Sequence, residues 1–323
     1  MGKPVGRIMF NMKKEPHVVV IGAINVDIKG RPHKNLVPHT SNPGTVEISL
    51  GGVGRNIAEN LAKLQVKTDM ISVIGKDPFF EFIMDKTKSS GINFEHVLVS
   101  EEFPTGLFLA FMNTRGDLIS AITDMEILSS LTPKFLKTKE NIILDADFLV
   151  LDVDIPAESI HYLLNLCLEH DIPVCVEPVS AEKTDLMLPF LDKITMVTPN
   201  REEAEVLAGF SIEGAKGVIE AGEAILRKGV KYVVITLGGE GVYLASNKMR
   251  RFISSISTVV EDTVGAGDSL VAGTIFGLCK EKSIYDAIRM GIASATLTLT
   301  TRQAVHPNLT PEALEQILSQ RRW

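Results

Sequence analysis

Eight residues near the carboxyl end, EDTVGAGD at 261–268, combine an anion site with a carboxylate. Gly265, Ala266 and Gly267 stand immediately before the apolar run SLVAGTIFGLCKE, so the segment reads as a turn feeding a helix N-terminus. Two glycines around one alanine let successive backbone N–H groups converge, and the positive end of the helix adds to the same field. An anion belongs there. Asp268 beside it would be repelled by that anion, which makes it a proton acceptor rather than a binder, as in phosphoryl transfer to an alcohol. Taken alone, the octapeptide is equally readable as a helix cap in which Asp268 satisfies backbone donors.

Four other clusters carry the same kind of chemistry. Asn25 and Asp27 follow the β-branched run HVVVIGA at alternate positions, where open α/β sheets place ligands and where an Asn/Asp pair can grip sugar hydroxyls. An Asx turn is the alternative. Gly51-Gly52-Val53-Gly54-Arg55-Asn56 opens a helix whose Ile57, Leu61 and Leu64 share a face; its glycines admit a ligand to the backbone, and Asn56 offers both acceptor and donors to a hydroxyl pair. Asn200 and Glu203, three apart after ITMVTP, are oxygen donors suited to a Mg²⁺ ion carried by a nucleotide, or else a capping box. After KYVVIT, the glycines of LGGEG would let ribose and phosphates lie against the backbone, or simply make a hairpin turn.

These clusters need a scaffold, and the middle of the chain supplies one: strands alternate with helices, as in DFLVLDV, AESIHYLLNLCLEH and IPVCVEP. That alternation predicts parallel β/α construction with strands buried on both faces. Residues 28–50 and 104–123 depart from it. Each contains an alternating or hairpin-like run, and together they are expected to form a small β-sheet lid on one domain spanning 16–323, with 1–15 a loose leader.

The 323 residues are 45% hydrophobic with a net charge of -7, and no basic block or basic–aromatic interleaving appears, so a nucleic-acid partner is not expected. No apolar stretch approaches a membrane span. Cys167, Cys175 and Cys279 lie in apolar segments without metal-ligand spacing and read as reduced core thiols of a cytoplasmic protein. No GxGxxG follows the first strand, which argues against a dehydrogenase.

The order NVD, GGVGRN, NREE, TLGGEG, DTVGAGD resembles the ribokinase-like (PfkB) family of carbohydrate and nucleoside kinases from about His17 to the carboxyl end. That resemblance implies a three-layer α/β/α fold with a mostly parallel central sheet, ATP and Mg²⁺ as cofactors, and K⁺ near the anion turn with Asp262 contributing. It further implies Asp268 as catalytic base, Gly265, Ala266 and Gly267 as the anion hole, Asn200 and Glu203 organising Mg²⁺ and phosphate, and Thr236, Gly238 and Gly241 at the nucleotide. Asn25, Asp27, Asn56 and the Gly52-Val53 backbone would form the sugar site, with Thr40, Ser41 and Asn42 in the lid facing the base. INVDIKGRP, TSNPG, GGVGRNIAENLA and EPVSAEK are similar to the pseudouridine-phosphorylating branch, although Glu177 stands where that segment has aspartate and Gly54 where alanine is commoner. Lys183 is expected to be solvated. The apolar outward faces of lid strands such as TGLFLAFMN favour a lid-to-lid homodimer.

Overall fold

A computed structural model describes residues 13 and 15–320. The expected loose leader therefore lies largely outside the described residues; Lys13 itself is tied to Asp145, its ammonium 2.6 Å from a carboxylate oxygen.

The strands run β1 (His17–Ile21), β2 (Asn25–Pro32), β3 (Gly44–Gly51), β4 (Lys67–Ile71), β5 (Val73–Gly75), β6 (Leu98–Ser100), β7 (Gly106–Met112), β8 (Leu118–Asp124), β9 (Phe148–Asp152), β10 (Val174–Glu177), β11 (Met196–Val197), β12 (Tyr232–Thr236), β13 (Val242–Ser246) and β14 (Met249–Ile253). The helices are α1 (Val53–Lys63), α2 (Phe79–Thr87), α3 (Pro133–Lys137), α4 (Glu140–Leu144), α5 (Ala157–Glu169), α6 (Ala181–Thr184), α7 (Arg201–Ala208), α8 (Gly214–Arg227), α9 (Ala266–Cys279), α10 (Ile284–Thr298) and α11 (Pro311–Ser319).

The main sheet has eight strands in the order β14-β13-β12-β11-β10-β9-β1-β4, parallel from β4 to β12 and closed by the antiparallel β13 and β14. Its central strands are apolar on both faces because both are covered. Alternate residues divide between two cores: Val19, Ile21, Leu149 and Leu151 meet α5, α7 and α8, whereas Val18, Val20, Phe148 and Val150 meet α1, α9, α10 and α11. The result is the expected α/β/α sandwich.

A separate four-stranded sheet, in the order β3-β2-β7-β8, is made from the two segments that break the β/α alternation. One placement differs from the expectation. Asn25 and Asp27 do not sit in a turn after β1; they begin β2, which is the inner strand of the small sheet, paired antiparallel to β3 and parallel to β7. Alternation then puts Asn25, Asp27, Lys29 and Arg31 on one face and Val26, Ile28 and Gly30 on the other.

Helix α9 carries the anion turn, and its position is set by close packing on α10. A Cβ on Gly273 would lie 2.8 Å from the Gly291 Cα, so neither helix tolerates a larger residue at the crossing. Ser269 ties the pair further, with its hydroxyl 2.7 Å from that of Ser294 and accepting from Thr298 at 2.9 Å. The three cysteines are buried and form no disulfide.

Candidate active site

Helix α9 starts at Gly265, which has φ 78° and lies so close to the 302–305 segment that a Cβ there would be 2.0 Å from the Ala304 carbonyl oxygen. Only glycine fits. The Ala266 N–H donates to the Thr263 carbonyl and the Ser269 N–H to that of Gly265, which leaves the Gly267 and Asp268 amides without a partner among the described residues. A Cβ added at Gly267 would meet nothing within 4 Å, so the turn has open space beside it. Two orphan amides at the positive end of a 14-residue helix fit an anion. Asp268 caps no backbone donor, so the cap alternative fails on geometry.

Instead, the Asp268 carboxylate accepts from Asn56 Nδ2 at 2.7 Å. Burial lifts its pKa to about 6, against the pull of the Asn56 amide and the Arg55 charge, and Asp27 adds to the rise. A carboxylate poised there is a competent proton acceptor near neutral pH.

Asn56 is held in turn by Arg55. The Arg55 side chain is buried and donates to the Leu50 carbonyl at 2.8 Å, the Gly51 carbonyl at 3.3 Å, the Glu59 carboxylate at 2.5 Å and the Asn56 carboxamide oxygen. One guanidinium thus joins the end of β3 to the first turn of α1. Arg55 both braces the fold and borders the site.

Asn25 and Asp27 lie beside this turn. Asn25 donates to Asp27 at 2.8 Å, both are buried, and a Cβ on Gly51 would be 2.0 Å from an Asp27 oxygen. Burial raises the Asp27 pKa while Asn25, Lys29 and Arg55 oppose the rise. Gly52 has φ 99°, and its missing Cβ makes room for the Ala23 carbonyl 2.3 Å away; Val53 begins α1. Asn25–Asp27 from β2 and Asn56–Asp268 from α1 and α9 are two hydrogen-bonded pairs, near enough that the Asp27 charge acts on Asp268.

The residues expected at the nucleotide are arranged differently. Asn200 and Glu203 form the capping box of α7, each backbone N–H bound by the other side chain at 2.8 and 2.9 Å. The alternative reading is thus what the side chains do. Asn200 Oδ1 and one Glu203 oxygen are consumed, so any ion contact falls to the other carboxylate oxygen. Asp262 forms an Asx turn, one oxygen accepting from the Thr263 and Val264 amides at 2.7 and 3.1 Å. Thr236 ends β12 and donates its amide to the Pro199 carbonyl at 2.8 Å, which ties the two loops together. Gly238 has φ 57°, and Gly241 has φ 105° with a Cβ position 2.1 Å from the Ile253 carbonyl. These glycines make the turn that joins β12 to β13.

One buried carboxylate at the site is not singled out by the sequence, and two residues that are take definite partners. Asp152, at the end of β9, accepts from the Ala23 amide at 2.7 Å and the Gly54 amide at 3.1 Å, and Gly22 leaves it space, its Cβ position only 2.0 Å away. This carboxylate fastens the β1 exit to the start of α1. Burial, helped by Asp154, lifts its pKa to about 7. Glu177 at the end of β10 accepts from the Thr198 hydroxyl. Burial pushes its pKa well above the usual range, and the charges of Glu203, Asp268 and Asp152 push the same way. A γ-turn follows Glu177: Val179 has φ 65°, and the Ser180 amide reaches the Pro178 carbonyl at 2.7 Å. Positive φ in a β-branched residue is strained, and such strain gathers at functional sites. Lys183 is partly exposed, as expected, and is also paired with Asp154 at 2.5 Å, which anchors this strained loop.

A cleft of about 880 Å³ runs between the small sheet and the 260–264 and 302–305 segments, lined among others by Asp27, Lys29, Glu47, Ser49, Arg55 and Asp262. Thr40, Ser41 and Asn42 are not among its lining residues. They lie in the loop joining the far ends of β2 and β3, and the Asn42 carboxamide is spent inside it, accepting from the Val37 amide at 2.8 Å and donating to the Val37 carbonyl at 2.9 Å. Asn25, Asn56 and Asp268 do not line the cleft either, but they lie with Asp27 near its inner end, whereas Thr40 to Asn42 make no hydrogen bond with that group. Among the described residues no group of three or more His, Cys, Asp or Glu side chains is arranged to hold a metal, and no helix is long and apolar enough to cross a membrane.

The sandwich with its extra small sheet defines the ribokinase-like class of fold. Arabidopsis thaliana ribokinase complexed with ribose and ATP matches with a TM-score of 0.82 over 94% of this chain and 98% of that one, at 24% identity. The family model for pfkB family carbohydrate kinases matches residues 15–311, and the chain belongs to that family, the ATP-dependent kinases of sugars and nucleosides. Pseudouridine kinase of Escherichia coli (strain K12) is 30% identical over 299 residues, 92% of this chain and 95% of the relative. Guanosine-inosine kinase of Exiguobacterium acetylicum is 28% identical over 93% of this chain and 99% of its own length.

Proposed function

We propose that the protein transfers the γ-phosphoryl group of ATP to the 5′-hydroxyl of a nucleoside, pseudouridine in the first place, with Asp268 as general base. The observation that carries this reading is the contact between Asp268 and Asn56. It puts a carboxylate of raised pKa between orphan amides fit for phosphate and a buried Asn25–Asp27 pair fit for a diol.

In the reaction, Asp27 and Asn25 bind the ribose 2′- and 3′-hydroxyls, and Asn56 orients both the sugar and the carboxylate. Asp268 takes the 5′-hydroxyl proton as the oxygen attacks the γ-phosphorus in line; the bond to the β,γ-bridging oxygen breaks and ADP departs. The Gly267 and Asp268 amides, with Gly265 and Ala266 shaping the turn, stabilise charge on the transferred group. Positioning and electrostatics carry the rate, since the protein makes no covalent bond. Thr236, Gly238 and Gly241 lie along the nucleotide. Mg²⁺ supplies charge neutralisation on the β- and γ-phosphates when bound. The fit of Asn200 and Glu203 is to an ion that arrives on the nucleotide and keeps its waters, because their cap leaves few oxygens for direct ligation. Asp262, with one oxygen left over from its turn, is the side chain at hand for K⁺.

The chain is then a single kinase domain over 16–323, in which the small sheet (segments 28–50 and 104–123) acts as lid. The outward face of that sheet exposes Val46, Ile48, Phe111 and Ile122, each by more than two-fifths, which supports a homodimer joined through the lids. We place the protein in the cytoplasm, in keeping with its unpaired cysteines.

A panel of pseudouridine, uridine, adenosine, ribose and fructose with ATP, run with and without K⁺, tests the assignment. Preference for pseudouridine upholds it; preference for a free sugar overturns it. The other reading is a different sugar or nucleoside kinase of the family, which the 28% identical guanosine-inosine kinase keeps in view.

A further inference from the structure

The cleft face of the small sheet continues outward from Asp27, the residue that grips the ribose diol in the nucleoside reading on which this inference rests. In the antiparallel ladder of β2 and β3, Asp27 is opposite Ser49 and Lys29 is opposite Glu47. All four line the cleft. One step of two residues along a strand is about 6.7 Å, close to the span from ribose hydroxyls to the far edge of a base on the same sugar. Lys29 and Glu47 therefore stand where the base edge arrives when Asp27 holds the diol. Like Asp27, they belong to rigid paired strands and not to the distal loop that holds Thr40.

Their chemistry is a donor facing an acceptor. Cross-strand neighbours of opposite charge ordinarily pair. Here neither side chain makes a hydrogen bond or ion pair among the described residues, although the Lys29 charge acts on Asp27. The Glu47 carboxylate has no hydrogen-bond donor of its own, and the Lys29 ammonium has no acceptor. Phe82 lines the same cleft and offers apolar surface to the face of a ring.

We infer that Lys29 and Glu47 read the nucleobase, and that Glu47 is what separates pseudouridine from uridine. A uracil ring joined to ribose through carbon presents N–H, C=O and N–H along the edge opposite the glycosidic bond. Joined through nitrogen, it presents N–H, C=O and C–H. The two differ at one atom, a donor in the first and none in the second. Lys29 donates to the carbonyl in the middle of that edge, which both isomers have. Glu47 accepts from the flanking N–H that only the carbon-linked isomer has, and with uridine its carboxylate faces a C–H. Leaving a charged acceptor desolvated against C–H is the kind of penalty from which a polar site draws its discrimination.

The test is kcat/KM with ATP for pseudouridine, uridine, inosine and ribose, for wild type, Glu47→Ala, Glu47→Gln and Lys29→Met, with melting temperatures to confirm folding. Glu47→Ala lowers the pseudouridine-to-uridine ratio by about tenfold or more. Glu47→Gln, which keeps one carbonyl acceptor, gives an intermediate ratio, and Lys29→Met lowers the preference for either isomer over ribose. If wild type prefers pseudouridine and the ratio stays unchanged in Glu47→Ala, the inference falls and the functional reading stands. A wild type that prefers ribose to every nucleoside overturns both. A wild type that prefers inosine overturns the pseudouridine assignment and the isomer discrimination together.

Discussion

Asn56 and Asp268, 212 residues apart, are joined by a hydrogen bond of 2.7 Å from the carboxamide to the carboxylate. The bond stabilises the charged form of Asp268 against the burial that lifts its pKa to about 6. With Asp268 as base, kcat/KM falls as pH drops through that value, because protonation removes the acceptor. Asn56→Ala deletes the opposing contact, raises the pKa further and moves the acid limb of the pH–rate profile to higher pH. A limb that stays in place, or moves to lower pH, contradicts the assignment.

Asp268→Asn is expected to reduce turnover by about three orders of magnitude or more while nucleotide binding stays within a fewfold, as read by calorimetry. The same variant tests the electrostatics. A carboxyl whose folded pKa lies above its unfolded value destabilises the fold once pH exceeds both, and costs nothing when pH lies below both. The neutral asparagine variant is therefore more stable than wild type at pH 8, by about 1–2 kcal/mol in denaturant unfolding, and the gain vanishes toward pH 4.

Gly265→Ala introduces a Cβ 2.0 Å from the Ala304 carbonyl oxygen at φ 78°. The turn must shift away from the 302–305 segment. A loss of about 1–3 kcal/mol in stability is expected, together with a rise in KM for ATP that exceeds any change in KM for the nucleoside. Steady-state kinetics with each substrate varied in turn separates this from general loss of fold.

Arg55→Met keeps much of the apolar stem but leaves the Leu50 and Gly51 carbonyls and the Glu59 carboxylate without their donor. Unsatisfied buried acceptors cost about 1–3 kcal/mol each at most, so the melting temperature drops clearly. Because Arg55 also holds Asn56, kcat falls more than the change in KM accounts for. Arg55→Lys recovers only part of either effect, since an ammonium cannot span all of these acceptors as a planar fork does.

For the lid-to-lid dimer, Val46→Lys combined with Ile122→Lys puts charge on side chains that are 68% and 63% exposed. Sedimentation velocity should show a dimer for wild type and a monomer for the double variant, with the melting behaviour of each monomer unit unchanged. Identical sedimentation of the two proteins rules out this face as the interface.

Much of the architecture is legible in the residue order because its causes are local. Val18 to Val20 and Phe148 to Leu151 are β-branched or apolar throughout, a pattern that suits a doubly covered parallel strand. The excursions at 28–50 and 104–123 stand out by breaking the β/α rhythm, and they pair to form the small sheet. The GAG turn is readable for the same reason, since an αL glycine before an apolar helix is a local requirement. Asn25 and Asp27 are recognisable as a pair, yet their local sequence points to a turn. NVDIKGRP carries a glycine and a proline, and only its register with β3 and β7 makes it the inner strand.

Residue order alone thus supplies the inventory: a glycine turn with a carboxylate at Asp268, an Asn25–Asp27 pair of a kind suited to a diol, a glycine-opened helix at Asn56, and a β/α chain to carry them. Their partners come from the folded chain. Folding brings Asn56 to Asp268 from 212 residues away, spends Asn200 and Glu203 on a helix cap, leaves Thr40 to Asn42 outside the cleft, and buries Asp152 against the amides of Ala23 and Gly54. Residue type and spacing report what a side chain can bond to. Which bond it makes, and the pKa that results, depends on burial and on groups distant in the chain, and these exist only once the sheets have closed around them.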